Sequence, residues 1–368
     1  MRRILIWLLT AAVLTQGVPA ARAVNTSASC AVVMDAESGR VLYEKAAHER
    51  RLIASITKLM TALVALESGH APEEMVTVRS EWAGIEGSSI YLRAGENITL
   101  EALLYGLLLR SGNDAAMAVA GFCGGTVEEF VSGMNRKAEE LGMTNSSFAN
   151  PSGLDHEDHY STAYDMALLA RACLANETLA KIAATKSITL DTRMFTNHNK
   201  LLWRYEGCVG LKTGYTEKAG RTLVSAAQRE GLTLICVTLN DPNDWADHTA
   251  LLDMTFAAYK GRELAGEEPL CTLPVRGSLV PFCPVRAEKP VSAALAEGER
   301  PQLELHLDCS SLESPVAAGQ RVGEAIWTLE GRELARVPLV TGRNVASNVA
   351  APQTALERLK TRLAELSA

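Results

Sequence analysis

The β-prone runs of residues 30–259 sit at the two ends of that stretch. Residues 30–34 lead through the turn residues 35–39 into Val41-Leu42-Tyr43, the pattern of a hairpin. Residues 222–228 and 232–239 form a second pair, split by Glu230-Gly231. Helical periodicity fills the space between. Ile56, Leu59, Met60, Leu63 and Val64 recur at i, i+3, i+4, i+7 and i+8, which predicts a helix over 56–66 with a wide buried face. A second helix begins near Thr99, has Glu101 in its first turn, and stops at the turn-forming Ser111-Gly112-Asn113. Residues 115–120 are small and apolar and read as another buried helix. Thr126 and Glu129 make a capping box ahead of the stripe Val127, Phe130, Val131, Met134, Ala138 and Leu141. Residues 150–160 are loop-like, and 162–174 and 248–259 read as helices. Strands at both ends with helices between them predict an α+β fold in which the terminal strands join one antiparallel sheet.

The pattern changes near Gly261. Prolines and valines increase, Leu303, Leu305 and Leu307 alternate with polar residues, and 322–340 reads as two strands around Glu330-Gly331. This predicts a separate, small all-β domain over 264–347. Within 348–368, Leu356, Leu359, Leu363 and Leu366 fall on one face of a helix otherwise made of charged residues. Such a helix suits a membrane surface, the β domain of the same chain or a protein partner. At the other end, the basic Met1-Arg2-Arg3, an apolar run and Ala21-Arg22-Ala23 form a signal-peptide pattern over 1–23. The expectation is an extracytoplasmic protein with its first folded domain over 24–263.

A net charge of −7 argues against nucleic-acid binding, which needs a basic stripe. The eight cysteines form no Cys-x-x-Cys pair or zinc spacing, and Cys271 with Cys283 is the least implausible disulfide. The acidic and histidine residues of 155–159 have no second ligand group at a recognisable spacing, so no metal or other cofactor is expected.

The chemistry gathers in three short motifs. Ser55 at the start of the first helix has Lys58 one turn on, a nucleophile beside an amine that can act as its base. Ser111-Gly112-Asn113 and Lys212-Thr213-Gly214 follow. Each alone reads as a cap, a helix-ending turn or a solvated strand end. In this order, each at an expected element end, they match the set of serine β-lactamases and penicillin-binding proteins.

The likeness extends further. Residues 212–227, Ser111-Gly112-Asn113-Asp114-Ala115, Asn150-Pro151-Ser152-Gly153-Leu154-Asp155, 159–167 and 197–202 resemble low-molecular-mass penicillin-binding proteins, the serine-type D-alanyl-D-alanine carboxypeptidases. The resemblance covers about residues 29–259, with a looser likeness in the C-terminal layout. It implies a β-lactamase/transpeptidase-like domain, then the small β domain and the amphipathic helix. It implies that Ser55 attacks the carbonyl between two D-alanines of a peptidoglycan stem peptide, and that β-lactams acylate the same serine. Lys58 would be the base, Ser111 a proton relay, and Asn113 a donor to the substrate that also orients Lys58. Lys212, Thr213 and Thr216 would receive the terminal carboxylate. Gly214 would admit the substrate backbone, and the N–H groups of Ser55 and Tyr215 would form the oxyanion hole. His159 and His198 are expected to be structural, because a Ser–Lys pair already supplies a base.

Two departures stand out. Many relatives carry a carboxylate-binding arginine on the loop that here reads Leu239-Asn240-Asp241-Pro242-Asn243-Asp244, leaving Arg221 as a more distant candidate. Tyr215 stands where relatives often have histidine. Three rival functions share much of the pattern: a class A-like β-lactamase, a DD-endopeptidase acting on cross-links, and an inactive wall-binding scaffold. Against the first, the second motif is Ser-Gly-Asn and no Glu-x-x-Leu-Asn segment is present.

Overall fold

The computed structural model describes residues 25–190 and 192–348. The two end hairpins meet in one sheet. Strand Cys30–Asp35 pairs antiparallel with Val41–Lys45 on one side and with Leu232–Leu239 on the other. The sheet continues through Gly220–Arg229 to Cys208–Thr216, which forms its free edge. Strand Leu232–Leu239 lies at the centre. Ile235, Val237 and Leu239 face a core shared with the main helices. Leu234 and Cys236 face a second core closed by Leu251, Leu252 and Phe256 of helix Asp244–Ala258. Burial on both faces explains why this segment reads as an apolar run rather than as an alternation.

Helix Lys58–Leu66 sits inside the helical layer, packed by Leu100–Leu109, Asn113–Cys123, Val127–Glu140 and Ala163–Ala175. Three of these helices start at a threonine whose hydroxyl accepts a first-turn N–H: Thr99 from Ala102, Thr126 from Glu129 and Thr162 from Asp165. Each such cap contributes about 1 kcal/mol. Helix Lys58–Leu66 is entered differently. Ala54–Thr57 forms a 3-10 turn, with Ala54 at φ 50°, so the helix expected from Ile56 begins two residues later and Ser55 lies in the turn before it. Helix Glu177–Ala184 and the ribbon Ser187–Leu190/Arg193–Thr196 carried no clear sequence signal. Both are too short for periodicity to declare them.

Strand Tyr259–Ala265 pairs with Val291–Ala296. A six-stranded sheet follows, in the order Gln302–Leu307, Arg321–Leu329, Arg332–Thr341, Phe282–Ala287, Cys271–Arg276 and Leu312–Glu313. It encloses its own core around Val285, Trp327, Val337 and Leu339. The alternation of Leu303 and Leu307 does form a strand, but at the sheet edge, where both leucines stay about two-fifths exposed. Arg40 ties the two parts together by pairing with Glu299 at 2.6 Å and donating to the Ala294 carbonyl at 2.9 Å. The protein is thus α+β with an all-β C-terminal part. All eight cysteines are free, with Cys271 opposite Val285 and Cys283 opposite Leu273. The expected signal peptide and the terminal helix of 348–368 lie outside the described residues, apart from Asn348. Among the described residues no helix is long and apolar enough to cross a membrane.

Candidate active site

The free edge of the sheet, the turn before helix Lys58–Leu66 and the turn after helix Leu100–Leu109 converge on one cleft of about 500 Å³. Ser55, Ser111, Thr213, Gly214 and Tyr215 all line it. Lys58 stands behind Ser55, fully buried. Its Nζ lies 2.9 Å from Ser55 Oγ, 2.8 Å from Asn113 Oδ1 and 2.5 Å from the Ser152 carbonyl. Asn113 Nδ2 donates to the Glu86 carbonyl at 2.6 Å, and that bond turns Oδ1 toward the lysine.

Each wall has a local cause. Ser111 takes φ 61°, a left-handed turn that lets helix Asn113–Cys123 begin at once. Asp114 then accepts from Ser89 Oγ and from the N–H groups of Ile90 and Leu92. Asn113 N–H donates to Ser88 at 2.7 Å. The irregular residues 86–92 are thereby fastened as one wall of the cleft. A third loop, 150–154, is folded around Asn150, whose Oδ1 accepts from Ser152 N, Ser152 Oγ and Gly153 N. On the sheet edge, a Cβ at Gly214 would stand 2.9 Å from Ser55 N and 2.4 Å from Thr222 Oγ1. Glycine is required there for the strand to lie against the nucleophile turn.

Burial, followed by the charge of Lys212, holds the Lys58 ammonium well below the ordinary lysine range, with Asp114 opposing. Lys212 is also buried and is lowered to about 7 by loss of hydration. Its Nζ donates to the Thr213 carbonyl at 2.9 Å. Two buried amines beside a half-buried serine supply the nearby base that nucleophilic catalysis by a serine requires.

One expected site residue does not join them. Thr216 lies at the end of its strand and does not line the cleft. Its hydroxyl donates to Asp155 at 2.8 Å and accepts from Ala219 N, so in this structure it clamps two loops. Asp114, Ser152 and the carbonyl of Glu86 were not singled out from sequence. Asp114 and Ser152 lie within segments that resemble the family, but nothing local indicates that they hold the site.

The family of the chain follows from comparison with known proteins. A model of the D-alanyl-D-alanine carboxypeptidase family matches residues 17–243. The chain belongs to this family. A model of the penicillin-binding protein 5 C-terminal domain matches residues 267–347. The chain is 34% identical over 330 residues to D-alanyl-D-alanine carboxypeptidase DacF of Bacillus subtilis, spanning 85% of this chain and 84% of that protein. It is 33% identical over 335 residues to DacA of Escherichia coli K12, spanning 84% and 81%. The crystal structure of penicillin binding protein 5 from Haemophilus influenzae superposes with a TM-score of 0.73 at 28% identity, covering 88% of this chain and 99% of that one.

In this carboxypeptidase-family chain the two histidines near the cleft are poor bases. His159 Nδ1 accepts from Ala149 N–H. Thr57 gives its hydroxyl proton to the Ala54 carbonyl, so its oxygen accepts from His159 Nε2–H at 2.7 Å. Burial lowers His159 to about 4, and burial with the Lys212 charge does the same for His198.

Proposed function

We propose that the protein is a serine-type D-Ala-D-Ala carboxypeptidase that removes the terminal D-alanine of peptidoglycan stem peptides through an acyl-enzyme on Ser55. The observation that carries this is the triple contact of Lys58 Nζ. A neutral amine has two N–H bonds and one lone pair. Asn113 Oδ1 and the Ser152 carbonyl can only accept, so they take the two N–H bonds. The lone pair is left for the Ser55 hydroxyl proton.

Ser55 Oγ then attacks the carbonyl between the two D-alanines, and its proton passes to Lys58 Nζ. The N–H groups of Ser55 and Tyr215 stabilise the oxyanion. The C–N bond breaks and the leaving D-alanine amine takes a proton through Ser111. Asn113 orients Lys58 and donates to the substrate amide. Lys212 and Thr213 draw in the terminal carboxylate, and Gly214 keeps the strand backbone close to the substrate. Water attacks the acyl ester next, with Lys58 again accepting the proton, and frees Ser55. A β-lactam enters by the same attack and remains attached as an ester.

The reaction belongs outside the cytoplasm. The signal-peptide pattern of 1–23 supports that location, and the amphipathic pattern of 354–366 supports peripheral contact with a membrane surface. Intact-mass measurement after mixing with benzylpenicillin tests the site. A lasting adduct on the peptide containing Ser55, absent in Ser55→Ala, is expected. Rapid penicillin turnover without an adduct contradicts the reading.

A further inference from the structure

An enzyme that removes one terminal residue must recognise a carboxylate one residue beyond the bond it cuts. Thr213 offers a hydroxyl in the cleft, but a carboxylate leaving water needs a fixed cation as well. Lys212 lends its charge from behind the strand, buried and donating to the Thr213 carbonyl, so the cationic candidates that line the cleft itself are His198, Lys200 and Arg221. His198 is neutral at physiological pH, lowered to about 4. Lys200 is an exposed side chain on a flexible stem. Arg221 differs from both.

Arg221 stands directly opposite Tyr215 in the register of the edge strand and its inner neighbour, so it lies on the face that also carries Thr213. Its Nη2 donates to Asp244 Oδ1 at 2.9 Å and lies 2.8 Å from Oδ2 of the same carboxylate in an ion pair. Asp244 is the buried first residue of helix Asp244–Ala258 and is itself fixed in place. The guanidinium lies 5.7 Å from the ring centroid of Trp245, the next residue, which also lines the cleft. Nε and Nη1 donate to nothing among the described residues, and two-fifths of the side chain is exposed. Arg221 is therefore a held guanidinium with one edge anchored and donors to spare, facing a cleft that contains the nucleophile.

We propose that Arg221, braced by Asp244 and Trp245, is the receptor for the free terminal carboxylate and sets the preference of this enzyme for the last residue of a chain. This rests on the carboxypeptidase reading above. The planar fork suits two-point contact with a carboxylate, in which Thr213 Oγ supplies a further donor. Asp244 is a positioning residue: it touches the arginine and not the substrate. The loop 239–244, which carries no arginine of its own, contributes by supplying this brace.

The test compares an acylated D-Ala-D-Ala peptide with the same peptide ending in a carboxamide. The parent is expected to prefer the free acid, read as kcat/KM. Arg221→Gln should lose about 10- to 100-fold on the acid, the range of a charge-assisted hydrogen bond, with the amide within about threefold of the parent. Arg221→Lys should recover part of the loss, and Asp244→Asn should weaken the preference while leaving Arg221 in place. An acid-to-amide ratio unchanged in Arg221→Gln overturns the proposal. So does an equal fall on both substrates, since that is the mark of a merely structural residue. If the parent releases no D-alanine, it is the reaction that fails. The arginine is then read from acylation by benzylpenicillin against its methyl ester, where the same collapse is expected and an unchanged ratio overturns it.

Discussion

Gly153→Ala is a small change that should disable the site from behind. Gly153 has φ 84°, and a Cβ there would stand 2.0 Å from the Ala54 carbonyl oxygen, 2.5 Å from its carbon and 2.8 Å from Thr57 Oγ1. Real Cβ contacts essentially never fall below 3.0 Å, so loop and nucleophile turn must part by about 1 Å. The two nearest atoms in the way are backbone, which cannot rotate aside. Ser152, the preceding residue, holds Lys58 Nζ through its carbonyl, and Ser55 follows Ala54. A displacement of this size in a catalytic constellation costs about 100-fold. Left-handed backbone adds about 1–2 kcal/mol of strain, and the clash brings the total loss of stability to about 2–4 kcal/mol. Stopped-flow acylation by a fluorescent penicillin and a thermal melt measure both effects. Gly142→Ala is the control, because Gly142 has φ 74° with nothing within 4 Å of the added Cβ. It should cost about 1 kcal/mol and leave acylation unchanged. Acylation of Gly153→Ala within threefold of the parent would refute the reasoning.

Asn113→Ala removes an acceptor from Lys58 and the donor to Glu86, and kcat/KM should fall about 10- to 100-fold, seen in steady-state assays. Lys212→Met removes a like charge that helps to lower Lys58, so the acid limb of the acylation pH profile should move to higher pH; an unmoved limb would remove Lys212 from that role. The same variant tests linkage. The folded value for Lys212, about 7, lies below the ordinary 10.5, so the native state binds fewer protons in that window and stability rises as pH rises through it. Lys212→Met should therefore exceed the parent in stability at pH 6, by no more than about 5 kcal/mol, with the gain shrinking by pH 10 in urea melts. His159→Ala strands Thr57 and the Ala149 N–H and should cost about 1–3 kcal/mol, while the pH profile between 5 and 8 keeps its shape.

Much of this fold was legible because its signals are local. The hairpins turn on Gly39 and on Glu230-Gly231, and the threonine caps announce three helices within four residues of their starts. Strands at both ends with helices between pointed to one antiparallel sheet, and Cys30–Asp35 does pair with Leu232–Leu239. The three motifs named Ser55, Lys58, Ser111, Asn113, Lys212, Thr213 and Gly214, with Tyr215 next in the chain; Ser55, Ser111, Thr213, Gly214 and Tyr215 line one cleft, and Lys58, Asn113 and Lys212 are buried behind its surface. What stayed hidden depends on partners far along the chain. Thr216 is taken by Asp155, a residue on the loop that also brings Ser152 to Lys58. The wall at 86–92 exists because Asp114 gathers its backbone N–H groups. Leu303 and Leu307 alternate as core residues do, yet their strand ends a sheet, and alternation alone does not reveal what faces it.

Release of D-alanine from a stem pentapeptide ending in D-Ala-D-Ala, measured for the parent and for Ser55→Ala in parallel, tests the central claim most directly. Stoichiometric release of one D-alanine per peptide by the parent, and none by Ser55→Ala, is the predicted result. Equal release by both proteins, or none by folded parent that does bind penicillin at Ser55, would contradict the account.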